Sequence, residues 1–106
     1  MTPRPIRAPD SGESLAAALA NGTRRLDDIL ARYLEAIDAR ESTVKAFVHF
    51  DRARFSRPPA RTGPLAGLPV GVKDIIDTFD MPTECGSPIY RGRVPVSDAP
   101  VVSMVR

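Results

Sequence analysis

The chain has few of the residues that build disulfides, metal sites and membrane spans. It contains one cysteine, one histidine and no tryptophan. One cysteine excludes an internal disulfide, and one cysteine with one histidine cannot assemble a Cys/His zinc site. No apolar run approaches the roughly 18–20 residues that a membrane span needs, and the N-terminus lacks the apolar region of a secretory signal. We therefore expect a cytoplasmic protein with no metal site.

Neither sign of charge predominates. The 15 basic and 13 acidic residues are interleaved, and the net charge is +2. Binding to nucleic acid or to a membrane surface is usually marked by a clustered basic patch, so we expect neither as a partner. The chain is 42% hydrophobic and 26% charged, which is typical of a globular domain. Residues 1–10 are proline-rich and predict an extended arm, and residues 11–106 predict a single folded unit.

Two helices are predicted in the first half of the chain. Ser11 or Ser14 can cap a short helix over residues 15–20, and the Asn-Gly pair at 21–22 ends it. Thr23 then caps a second helix, from about residue 24 to residue 40. Its apolar residues recur at the spacing of one helical face and predict a stripe that packs on the core. This stripe consists of Leu26, Ile29, Leu30, Tyr33, Leu34 and Ile37.

A strand is predicted over residues 43–50, because apolar residues alternate there with a period of two. His49 lies on the opposite face from Ala46 and Val48. We interpret it as structural, since no nucleophile lies near it in sequence. Residues 51–62 contain four arginines and two prolines, and they predict a solvated loop.

The stretch from Gly63 to Thr78 is the most informative part of the sequence. Residues 68–72, Leu-Pro-Val-Gly-Val, suit a strand, which Pro69 confines to a sheet edge. Such a strand presents Lys73 at its end, where binding and catalytic sites are usually built. A lysine held against apolar neighbours loses hydration and becomes able to act as a general base.

Acidic residues come directly after this lysine. Asp74 and Asp77 lie three positions apart, which is only a weak signal for metal binding. We interpret them as acceptors of hydrogen bonds from the local backbone and from the lysine. Asp98 is predicted to cap a final helix, with Pro100 in its first turn.

Two further residues invite a catalytic interpretation. Ser87 belongs to a Gly-Ser-Pro sequence, which is typical of a structural turn, so we do not assign it as a nucleophile. Cys85 has no basic residue close in sequence, and we expect it to be a small buried residue rather than a reactive thiol.

Residues 63–87 resemble the lysine segment of the amidase signature hydrolases. They read Gly-Pro-Leu-Ala-Gly-Leu-Pro-Val-Gly-Val-Lys-Asp-Ile-Ile-Asp-Thr-Phe-Asp-Met-Pro-Thr-Glu-Cys-Gly-Ser. Residues 95–102 are similar to the family's next conserved stretch of chain after this segment, and residues 23–50 to its first long helix and first strand. The resemblance implies an α/β fold, a large mixed sheet wrapped by helices. The 106 residues would form the N-terminal portion of this fold, with an incomplete sheet.

The family's activity is carried by a Ser–cis-Ser–Lys triad, and Lys73 matches its lysine. The resemblance implies hydrolysis of the C–N bond of a small-molecule carboxamide, without metal or cofactor. It places both serines several tens of residues downstream, so we predict that the 106 residues are inactive by themselves. The remainder of the same enzyme or a partner chain would complete the sheet. No substrate-binding residue is predicted.

Two alternatives remain open at this point. The chain could be a truncated, non-catalytic protein that binds a partner through its unfinished sheet edge. It could also be part of a glutaminase-type subunit of an amidotransferase complex. Nothing in these residues separates that subunit from a small-molecule amidase.

Overall fold

The computed structural model describes residues 12–57 and 62–106, so the predicted arm at 1–10 lies outside the described residues. Helix α1 spans Gly12–Ala20 and helix α2 spans Leu26–Val44. The Asn-Gly pair ends α1 as predicted: the Asn21 N–H donates to Ala17 O at 3.0 Å, and Gly22 has a φ of 76°. Glycine adopts this left-handed conformation without steric strain, which lets the chain turn towards α2.

Helix α2 differs from its prediction at both ends. Thr23 does not cap it, because the Thr23 hydroxyl donates back towards α1, to Ala18 O at 3.3 Å. Arg25 occupies the N-cap position without a side-chain cap. The helix continues four residues beyond residue 40 and ends at Lys45, which has a φ of 52° and donates its N–H to Glu41 O at 2.8 Å.

The predicted apolar stripe of α2 is buried over its first half. Leu26, Ile29 and Leu30 are buried, together with Leu15 of α1. The later members of the stripe are less buried. The α1–α2 region therefore contains most of the buried apolar side chains of the described residues.

The strand predicted over residues 43–50 is not formed. Residues 43 and 44 belong to α2, and residues 45–50 have irregular structure. Phe50 lies 5.3 Å, between ring centroids, from both Phe47 and Phe55, and Val48 is 73% exposed. A single extended segment cannot satisfy its backbone groups without a neighbouring strand.

Residues 68–72 likewise have irregular structure, and Val70 is half exposed. Residues 63–68 before them form tight turns, in which Ala66 has a φ of 52° and Gly67 a φ of 85°. Within the ranges 12–57 and 62–106 there is no strand. The α/β class therefore stays a prediction, since a sheet needs more strands than the two predicted here.

Two short helices complete the fold. The connector after residue 50, predicted as a loop, contains the one-turn helix α3 (Arg52–Phe55), because the Asp51 carboxylate accepts the Arg54 N–H at 3.0 Å. Helix α4 spans Pro100–Val105, with its proline in the first turn as predicted. Its N-cap is Ala99 rather than Asp98, so the predicted cap is wrong. No helix in the described part of the chain is long and apolar enough to cross a membrane.

Candidate functional site

Lys73 lies where the irregular apolar segment ends and a turn begins. Its carbonyl accepts the Ile76 N–H at 3.0 Å. The side chain lines a cleft of about 290 Å³, between residues 46–49 on one side and residues 72–83 on the other. The cleft is lined by Ala46, Phe47, Val48, His49, Val72, Lys73, Asp74, Ile76, Thr78, Met81, Pro82 and Thr83.

The lysine is exposed, which differs from its prediction as a residue held against apolar neighbours. The adjoining Val72 is only half-buried, and Val70 is half exposed. The loss of hydration expected at this lysine is therefore not produced by the described residues. Packing of more protein against the cleft is the physical change that would produce it.

His49 lines the same cleft as Lys73 and is exposed. This agrees with its interpretation as a solvated residue. No group of three metal-ligating side chains occurs among residues 12–57 and 62–106.

Asp74 connects the lysine to the turn beyond the cleft. Its Oδ1 accepts the Glu84 N–H at 2.9 Å, and its backbone carbonyl accepts the Cys85 N–H at 2.9 Å. The Glu84 carboxylate in turn accepts the Gly92 N–H at 2.6 Å. These bonds confirm that Asp74 accepts from the backbone, although the donors lie about ten residues away and the lysine is not among them.

Asp77 forms a bidentate ion pair with Arg93, at 2.9 and 3.2 Å. Its carbonyl also accepts the Ala99 N–H at 2.9 Å, which fixes the start of α4. The side-chain hydrogen bond from Arg93 lowers the pKa of Asp77, and the same bond raises the pKa of the guanidinium. Asp77 therefore has a structural role, and its partner is an arginine rather than the predicted lysine.

A second ionic cluster joins α3, the segment around Asp80 and the end of α4. The Asp80 carboxylate pairs with Arg54 of α3 and, at 2.8 Å, with Arg106. Arg106 also binds Asp98 at 2.6 Å, and this hydrogen bond lowers the pKa of Asp98. The other oxygen of Asp98 accepts the Phe79 N–H at 2.9 Å, and the Arg106 guanidinium lies 4.9 Å from the Phe79 ring centre. The cluster therefore ties three separate parts of the chain together through charge.

Two buried threonines support the turn beside the cleft, and no sequence motif pointed to them. Thr83, 1% exposed, donates its N–H to Arg93 O at 2.8 Å, and its hydroxyl lies 3.5 Å from Ile76 O. The hydroxyl of Thr78, also buried, donates to Met81 O at 3.3 Å. Hydroxyls often bond to nearby backbone in turns, but the ten-residue contact with Arg93 has no local signal.

The segment 85–90 is a turn, as predicted for Ser87. The Ser87 hydroxyl accepts the Ile89 N–H at 3.4 Å and caps a single 3₁₀ turn, Pro88–Tyr90. Cys85 is exposed, so its prediction as a buried residue is wrong. The reason is local: Cys85 has a φ of 55° and Gly86 a φ of 66°, which places them in a tight surface turn.

Comparison with known proteins identifies the family. The family model described as Amidase matches residues 28–106, which include the cleft and Lys73. The chain belongs to this family, the amidase signature proteins.

Several curated relatives are named as the A subunit of glutamyl-tRNA(Gln) amidotransferase. The chain is 36% identical to the Rhodopirellula baltica protein over 91% of its own length, and 38% identical to the Acidothermus cellulolyticus protein over 87%. It is 35% identical to a chloroplastic/mitochondrial form from Oryza sativa over 93%. It spans only about a fifth of the length of these relatives: 21%, 20% and 20%.

Proposed function

We propose that the protein hydrolyses the C–N bond of a carboxamide by a Ser–cis-Ser–Lys mechanism, with Lys73 as the lysine. The observation that carries this proposal is the family match over residues 28–106, which contains the Lys73 motif. The position of Lys73 supports it, because the side chain lines a cleft at the end of an apolar segment. Sites commonly occur where the chain leaves such a segment for a loop.

In this mechanism Lys73 acts as a general base in its neutral form. It takes a proton through the bridging serine from the nucleophilic serine, which attacks the amide carbonyl. Backbone N–H groups stabilise the oxyanion, and water then releases the acid from the acyl-enzyme. Each proton is passed between protein groups and water, so the proposed reaction needs no cofactor.

Both serines come from protein outside residues 1–106 in this proposal, and the 106 residues alone are inactive. The exposed apolar side chains support a requirement for more protein. Val48 is 73% exposed and Val70 51%, and both belong to segments predicted as strands. Additional strands would bury these side chains and would also bring apolar groups against Lys73. The cytoplasm remains our proposed location.

The matched lysines of the chain provide the first test. Lys73→Met in the full-length enzyme removes the amine but keeps most of the apolar stem, and we expect it to abolish amide hydrolysis. Lys45→Met is the control, since Lys45 is the other lysine, is exposed and lies outside the cleft. Release of ammonia from amide substrates measures the activity, and circular dichroism checks the fold. Near wild-type turnover by Lys73→Met would refute the proposal.

A second candidate, a glutaminase-type subunit of an amidotransferase, is favoured by the names of the relatives. Such a protein would release ammonia from glutamine for transfer by a multi-subunit complex. Comparing glutamine with simple aliphatic carboxamides as substrates separates the two candidates. Hydrolysis of glutamine that rises on addition of partner subunits supports the amidotransferase, and hydrolysis of simple carboxamides by the isolated enzyme supports the small-molecule amidase.

A further inference from the structure

The two carboxylate oxygens of Asp74 have different surroundings. Oδ1 accepts the Glu84 N–H at 2.9 Å, whereas Oδ2 is shielded from solvent and has no donor within the described ranges. A shielded carboxylate oxygen without a hydrogen bond is strongly disfavoured, because it has lost water and gained nothing in exchange. We therefore expect the complete protein to place an N–H or O–H donor on Oδ2.

The position of Asp74 connects this oxygen to the proposed chemistry. Asp74 directly follows Lys73, and both residues line the same cleft. Its other contacts hold the turn at residues 83–85 beside that cleft. A donor that reaches Asp74 would therefore lie close to the lysine.

Asp80 provides a contrast, because its Oδ1 is also shielded and without a donor among these residues. Its other oxygen, however, already pairs with both Arg54 and Arg106. The charge of Asp80 is compensated by these two guanidinium groups. Asp74 has only one backbone N–H on its carboxylate, so its need for a second donor is greater.

We propose that Asp74 is a positioning residue of the amidase site. Its Oδ1 holds the turn at residues 83–85 beside Lys73, and its Oδ2 accepts a hydrogen bond from an N–H or O–H group of the protein that completes the cleft. The donor is assigned to the protein because Oδ2 is already shielded, so a substrate arriving from solvent does not reach it. This inference rests on the proposed function, in which Lys73 is the general base.

The test uses the full-length enzyme with Asp74→Asn, Asp74→Ala and the control Asp77→Asn. Two donors need two acceptor oxygens, and asparagine offers only one, whichever way its amide is turned. We therefore expect Asp74→Asn to lose kcat by about tenfold to a hundredfold, the range for a hydrogen bond to a charged group. KM should stay within about threefold of wild type, because the donor is not on the substrate. Asp77→Asn should keep kcat within about threefold, since Asp77 pairs with Arg93 at the surface.

Several outcomes would overturn the inference. Full activity of Asp74→Asn would mean that only the Glu84 contact matters, and a rise in KM with unchanged kcat would place the donor on the substrate. Equal losses in Asp74→Asn and Asp77→Asn would indicate a general structural effect. If Asp74→Asn does not fold, Asp74→Glu decides: activity above that of Asp74→Ala supports the inference, and activity equal to it overturns it.

Lys73→Met separates this inference from the proposed function. Turnover that survives in Lys73→Met refutes the proposed function itself, whatever Asp74 does. Loss of turnover in Lys73→Met together with a fully active Asp74→Asn refutes only the role of Asp74.

Discussion

The region of α1 and α2 and the region of residues 73–106 are stabilised in different ways. In the helical region the backbone bonds are local and the buried side chains are apolar, as at Leu26, Ile29 and Leu30. In residues 73–106 the backbone is mostly irregular and is held by contacts ten or more residues apart. The side of the cleft containing Lys73 therefore owes its shape mainly to polar contacts rather than to apolar packing.

The long-range bonds of the second region show how irregular backbone is satisfied. The Glu84 N–H reaches Asp74 Oδ1, and the Phe79 N–H reaches Asp98 Oδ1. A side-chain carboxylate here replaces the carbonyl of a neighbouring strand. This explains how the segment after Lys73 is ordered although the described residues contain no sheet.

Substitution of a buried apolar residue in the helical region should have the largest effect on stability. Leu30 is 3% exposed, and Leu30→Ala should lower the free energy of unfolding by about 2–5 kcal/mol. Val44→Ala is the control, because Val44 on the same helix is 62% exposed and should change stability by only about 0.5 kcal/mol. Urea unfolding of the full protein measures both. Equal losses would show that burial does not distinguish the two ends of α2.

Acid should weaken the polar region through Asp77. The pKa of Asp77 in the folded state is lowered by Arg93, so its stabilising contribution is present above the ordinary value of 3.8 and is lost as the pH falls through the folded pKa. Arg93→Met should therefore lower the melting temperature at pH 7, and the difference from wild type should shrink in acid. Arg91→Met, at a neighbouring exposed arginine with no ion pair in the described ranges, is the control. A difference that stays constant down to about pH 2 would contradict the assignment.

The smallest effect is expected for the ion pair between Arg52 of α3 and Asp38 of α2. The pair is bidentate, at 2.6 and 2.8 Å, but both side chains are more than half exposed. Solvent and salt screen such a pair, so Arg52→Gln should hardly change the melting temperature, and any change should vanish in about 1 M salt. Arg57→Gln, at another exposed arginine, is the matched control. A large, salt-independent loss would mean that α3 depends on this pair.

Local patterns predicted the elements that depend on neighbouring residues. The helix after residue 24 follows from its apolar periodicity, and the end of α1 from the Asn-Gly pair. The turn at Ser87 follows from Gly-Ser-Pro. The caps were wrong where a side chain found a different partner, as Thr23 did at Ala18 and Asp98 at Phe79. Competition among partners is not visible in a local motif.

Contiguous residues were enough to specify the helices, the turns and the family, because periodicity, turn preferences and the Lys73 motif are properties of neighbours along the chain. The three-dimensional arrangement was needed to show which groups meet: Asp74 with Glu84, Asp77 with Arg93, and Asp80 with Arg54 and Arg106. It was also needed to show that Lys73 and Cys85 are exposed. The physical reason is that burial and long-range hydrogen bonds depend on distances in space, which the spacing of residues along the chain does not set.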